Sequence, residues 1–120
     1  MSESSAHTLI RYEGKAAIID CLDVKLNDEM TIQAWNDEIS EALANMVVQD
    51  RIIINFANVK FMSSSALRAL ISLKAKVDKK NATLFLCNIC PNNMEVFKIT
   101  KLNAFFRITP TEVEAQRAVV

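Results

Sequence analysis

The sequence predicts an α/β fold: a single domain with one small mixed sheet and about four helices, in the order ββαβαβαβα. Three observations predict it. The chain has 120 residues, 51% of them hydrophobic and 23% charged, enough to bury one core. Short apolar runs at Lys15–Leu22, Arg51–Phe56 and Ala82–Leu86 carry the β-branched or aromatic residues of buried strands. Between them lie longer stretches whose apolar residues recur every three or four positions, the period of a helix packed on one face.

Taken in order, residues 1–7 are expected to be a flexible tail and residues 8–120 the domain. Leu9, Ile10 and Tyr12 suggest a first strand that stops at Glu13-Gly14. Lys15 to Leu22 is a second strand. Asn27-Asp28-Glu29 read as a loop into a helix, whose stripe runs Ile32, Trp35, Ile39, Leu43, Met46. Arg51 to Phe56 holds three Ile in succession, which suits a strand covered on both faces. Ala57 to Ser65 reads as a loop. A helix follows, with Ala66, Ala69, Leu70, Leu73 and Val77 on one face. Lys79-Lys80-Asn81 ends it, with basic residues at the negative end of the helix dipole. After the strand Ala82–Leu86, Pro91-Asn92-Asn93 opens a helix bearing Met94, Val96, Phe97 and Ile99. A short last strand is expected at Phe105–Ile108. A final helix starts at Thr109-Pro110-Thr111, with Glu112 and Glu114 in its first turn. Alternation of strands and helices at these lengths implies a sheet that is parallel at its centre.

Composition excludes several function classes. Fourteen Lys and Arg balance fourteen Asp and Glu, so no net field draws nucleic acid or an anionic membrane to the chain. One Gly, Gly14, rules out glycine-rich phosphate loops and the GxSxG elbow, which need several glycines for close backbone approach. No apolar run is long enough for a membrane span, and the polar opening MSESSAHT is unlike a secretory signal. Three Cys, an odd number, suit a reducing cytoplasm.

Candidate chemistry is sparse. Ser63-Ser64-Ser65 sit between a buried strand and an amphipathic helix. One Ser suffices as an N-cap, so the run also suggests a modified hydroxyl, for which a helix N-terminus tolerates added negative charge. Cys87-Asn88-Ile89-Cys90 is a C-x-x-C between a strand and a helix. It is either a redox pair or two small thiols, and it lacks the Trp and Gly-Pro that flank thioredoxin sites. His7 and Cys21 are too scattered from this pair to suggest a zinc site. Lys74, Lys76, Lys79 and Lys80 read as a solvated face, and Trp35 as core. Asp20, Asp23 and Asp28 read as strand-edge and loop residues. No metal site and no catalytic residue is expected.

The segment Val59-Lys60-Phe61-Met62-Ser63-Ser64-Ser65-Ala66-Leu67 resembles the signature of STAS domains, above all the bacterial anti-anti-sigma factors. That pattern runs hydrophobic, x, Phe/hydrophobic, Met/Ile, Asp, Ser, Ser/Thr, Gly, Leu after a central strand. Asp28, Thr31 and Trp35 resemble the family's first loop and helix. Cys90-Pro91, Val96, Phe97, Ile99, Leu102 and Phe105-Phe106 resemble its later segment. Ser63 stands where the family usually has Asp, Ala66 where it has Gly, and Lys101 where a Gly often precedes the later Leu. No Gly-Glu-Leu precedes Asp28.

The resemblance implies a STAS-like domain acting as an anti-sigma factor antagonist in the cytoplasm, without enzymatic activity or cofactor, monomeric when free. The unmodified form would bind an anti-sigma factor that is also a serine kinase, releasing the sigma factor. Phosphorylation of Ser64, with Ser63 and Ser65 as alternatives, would abolish binding, and a serine phosphatase would restore it. Asp28, Met62, Ser63, Ser64, Ser65 and Arg68 are the expected partner-binding residues. Within the same fold, a static subunit of a lipid-transport ABC complex and a regulator with a non-transcriptional output are the alternatives.

Overall fold

The computed structural model describes residues 2–4 and 6–120. Two antiparallel strands at one side lead into a parallel centre. β1 (Ser2–Ser4) pairs with β2 (Thr8–Glu13), which turns through Gly14-Lys15 into β3 (Ala16–Cys21). Gly14 has φ +59, the left-handed conformation that a tight hairpin demands and that glycine adopts without strain. β3, β5 (Arg51–Asn55), β7 (Thr83–Cys87) and β8 (Arg107–Thr109) are parallel, so the six-stranded order is β1-β2-β3-β5-β7-β8. A second pair, β4 (Lys25–Leu26) with β6 (Phe61–Met62), is parallel and stands apart.

The helices are α1 (Glu29–Ala44), α2 (Ser64–Lys79), α3 (Pro91–Ile99), the single turn α4 (Leu102–Phe105) and α5 (Glu112–Arg117). The strands sort their side chains by alternation. Ala17, Ile19, Ile52, Ile54, Leu84 and Leu86 enter the larger core with Ile32, Trp35 and Ile39 of α1, Leu70 and Leu73 of α2, and Phe97 of α3. Ala16, Ile18, Ile53, Phe85 and Cys87 face the other way, onto Ala115 of α5. The three successive Ile of β5 are therefore all shut from water, each contributing about 1.5–3 kcal/mol by burial.

Arginines fasten the thin α5 layer. Arg51 Nη1 donates to the carbonyls of Ala115, Gln116 and Ala118, satisfying the helix's free C-terminal acceptors. Arg11 bridges Asp20 of β3 and Glu112 of α5.

Four expectations change. Met1 and Ser5 of the expected tail lie outside the described residues; within that stretch Ser2–Ser4 pairs with β2 and His7 donates its N–H to Glu38. The Ala57–Ser65 loop contains β6. The last strand starts at Arg107, not Phe105, because Phe106 turns inward to meet the Phe97 ring edge-on at 6.0 Å, and Phe105 closes α4. That extra turn makes five helices. Its N-cap is Lys101, which holds the left-handed φ +62.

Candidate functional site

The short β4–β6 pair sets the site. Lys60 N–H donates to Val24 O at 2.7 Å, and Ser63 N–H to Leu26 O at 2.9 Å. Each strand then runs straight into a helix, so the N-termini of α1 and α2 emerge side by side. That pairing brings Asp28, just before α1, and Ser63–Ser65, at the start of α2, to one end of the molecule.

Each helix carries its own cap. Asp28 Oδ1 accepts the Thr31 N–H at 2.9 Å. Bonds from the Thr31 backbone and side chain hold the exposed Asp28 carboxyl below its usual range. In α2 the cap is Ser63, whose Oγ accepts the Ala66 N–H at 3.3 Å. The helix thus starts two residues before the Ala66 that follows the expected loop, and Ser64, its first residue, stands next to the cap. The three serines are therefore inequivalent. Ser63 is half-buried and caps. Ser65 is half-buried and accepts from Arg68 Nη2 at 3.1 Å. Ser64 is the exposed one.

Side-chain alternation in β6 redraws the expected surface. Met62 is 5% exposed and belongs to the core, so it is not a surface residue; Phe61 is 50% exposed. Phe61 N–H also donates to Val24 O, and the Val24 side chain is exposed as well. Met30, in the first turn of α1, is 85% exposed. Exposed apolar side chains thus accompany the serine turn, where a monomer gains nothing from them. Arg68 is exposed on α2, and beside it an open cleft of about 600 Å3 runs between α1 and α2, lined by Met30, Gln33, Asn36, Ser65, Arg68 and Ser72 among others. Sequence reasoning missed Val24, Met30 and Phe61. The available signal was that Met30 lies off the buried stripe of α1.

The other candidates acquire structural roles. Cys87 is buried at the end of β7, and burial pushes its thiol up to about 12. Burial likewise raises Cys21 to about 12, with Trp35 Nε1 donating to its sulfur at 3.3 Å. Thiols in that range hold almost no thiolate at neutral pH, the form that redox exchange requires. Cys90 is the N-cap residue of α3 and makes no side-chain capping bond; its Sγ donates to the Lys60 carbonyl at 3.9 Å. Lys74 pairs with Asp78, Lys76 reaches Ser40, and Lys80 donates to the Leu43 carbonyl at the end of α1. Asp20 receives Arg11 and Asn55, and Asp23 receives His7.

The sequence profile of the STAS domain matches residues 15–115. The chain belongs to the STAS domain family. Three solved structures share the fold over nearly their whole length. An anti-sigma factor antagonist from Mycobacterium paratuberculosis is 21% identical, with a TM-score of 0.80 over 93% of this chain and 92% of its own. An anti-sigma-factor antagonist (STAS) domain protein from Planctomyces limnophilus is 17% identical, at 0.78 over 92% and 95%. The Bacillus cell fate determinant SpoIIAA, in its phosphorylated form, is 22% identical, at 0.66 over 91% and 96%. A comparison with curated proteins finds no match. Among the described residues, no helix of this STAS domain is long and apolar enough to cross a membrane.

Proposed function

We propose that this STAS domain is a cytoplasmic anti-sigma factor antagonist working by partner switching rather than catalysis. The unmodified form binds an anti-sigma factor that doubles as a serine kinase and thereby frees the sigma factor. Phosphorylation of Ser64 ends the binding, and a serine phosphatase restores it. The observation that carries this reading is the exposure of Ser64 in the first turn of α2, beside Asp28, with Phe61 and Met30 as apolar neighbours in the chain. Structural neighbours that are anti-sigma factor antagonists support the choice of partner.

The physics of the switch is electrostatic. A phosphoserine adds roughly −1.5 to −2 charges at neutral pH. The free N–H groups and positive dipole end of α2 accommodate that charge within the domain. A desolvated interface without a matching cation does not. The test is affinity for an anti-sigma factor kinase, measured with wild type, Ser64→Ala and Ser64→Asp. Ser64→Ala keeps the affinity. Ser64→Asp weakens it tenfold or more, about 1.4 kcal/mol. Equal affinity for all three proteins contradicts the reading.

A further inference from the structure

We propose that Arg68 is the internal counter-ion of a phosphate on Ser64, so that modification also withdraws the guanidinium from the partner-facing surface. This rests on the reading of Ser64 as the modified residue.

The geometry that leads to it is local. Ser64 and Arg68 are four residues apart in α2, hence neighbours on one helix face, and both are exposed. The guanidinium already bends back over the first turn, where Nη2 meets Ser65 Oγ at 3.1 Å. Its present acceptor is a neutral hydroxyl. Among the described residues, no carboxylate forms an ion pair with Arg68, although Glu29 lines the same cleft. The first turn of α2 holds no acidic residue either, whereas α1 has Glu29 and α5 has Glu112 and Glu114. A phosphate one residue before Ser65 offers three charged acceptor oxygens in place of one hydroxyl. Charge-assisted bonds of guanidinium to phosphate are stronger than bonds to a neutral oxygen. Arg68 therefore moves from Ser65 to the phosphate, and its charge is no longer available to a partner or to the α1–α2 cleft.

The experiment needs no kinase. Phosphoserine is placed at position 64 during synthesis by genetic encoding, in wild type, Arg68→Gln and Arg68→Lys. The second ionisation of the phosphate is followed by phosphorus NMR between pH 4 and 9. The wild-type phosphate is expected to ionise lower than in Arg68→Gln by roughly half a unit, because an adjacent cation favours the dianion. Arg68→Lys should recover part of the shift, and about 1 M salt should remove most of it. Identical titrations in wild type and Arg68→Gln would overturn the proposal. Because the phosphate is supplied synthetically, failure here is separate from failure of the partner switch, which is read by binding of the kinase.

Discussion

A capping hydroxyl and an exposed hydroxyl one residue apart respond differently to removal. Ser63→Ala deletes the bond to Ala66 N–H and is expected to cost about 1 kcal/mol in urea unfolding. Ser64→Ala removes an exposed hydroxyl with no capping bond and is expected to stay within about 0.5 kcal/mol of wild type. Serine-run composition cannot reveal this division, because all three residues satisfy the same N-cap preference and only the backbone at Ser63 decides which one caps. Asp28 gives a pH test. Its carboxyl ionises below the ordinary 3.8, so the folded state favours the ionised form. Its stabilising contribution is complete above that ordinary value and is lost as pH falls through the lower folded value. Asp28→Asn keeps the cap and is expected to flatten the fall in stability between pH 5 and 2, as followed by acid titration of circular dichroism; an unchanged curve would contradict the assignment. Lys101 shows a legible departure acquiring a physical cause. A glycine adopts φ +62 without strain, and Lys101→Gly is expected to raise stability by about 0.5–1 kcal/mol.

At the scale of elements, the buried strands and long helices were readable because their patterns extend over several residues. Three Ile in β5 and the stripe Ile32, Trp35, Ile39 of α1 leave little choice of face. β4 and β6 were not readable. Each has only two residues, too few to display alternation, and their pairing is set by distant chain segments. That omission concealed half of the candidate site, since it exchanged Phe61 for Met62 as the surface residue. The consequence is testable. Phe61→Ser is expected to weaken binding of an anti-sigma factor kinase at least tenfold, in line with the role of exposed aromatic anchors. Its effect on unfolding free energy should stay below about 1 kcal/mol, because half of the side chain is already in water. Met62→Ser should do the reverse, destabilising the fold by about 2–4 kcal/mol through cavity formation and a buried hydroxyl. The last strand begins two residues after the position its sequence pattern suggests, because Phe105 and Phe106 both fit a strand pattern. The edge-on contact of Phe106 with Phe97 is a packing contact that apolar periodicity does not encode.

For the whole molecule, the topology places the turn on which the proposed switch rests. The parallel centre sends α1 and α2 off from the same end of the sheet, and the β4–β6 bonds hold their entrances together. The core behind Ser64 is complete: Ala66 and Leu70 are fully buried and Met62 nearly so. In the proposed switch, a charge added outside that wall would meet the partner and leave this packing untouched. Phosphorylation is therefore expected to change affinity without unfolding the domain. The measurement that tests this most directly is incubation of the intact protein with an anti-sigma factor kinase that the unmodified form retains, together with ATP, followed by peptide mass mapping and a second binding assay. One phosphate, on Ser64, is expected, with loss of kinase retention by a protein that keeps its unfolding midpoint. A kinase-treated protein with no phosphate on Ser63, Ser64 or Ser65, or a phosphorylated protein still retained at full affinity, would contradict the proposed switch.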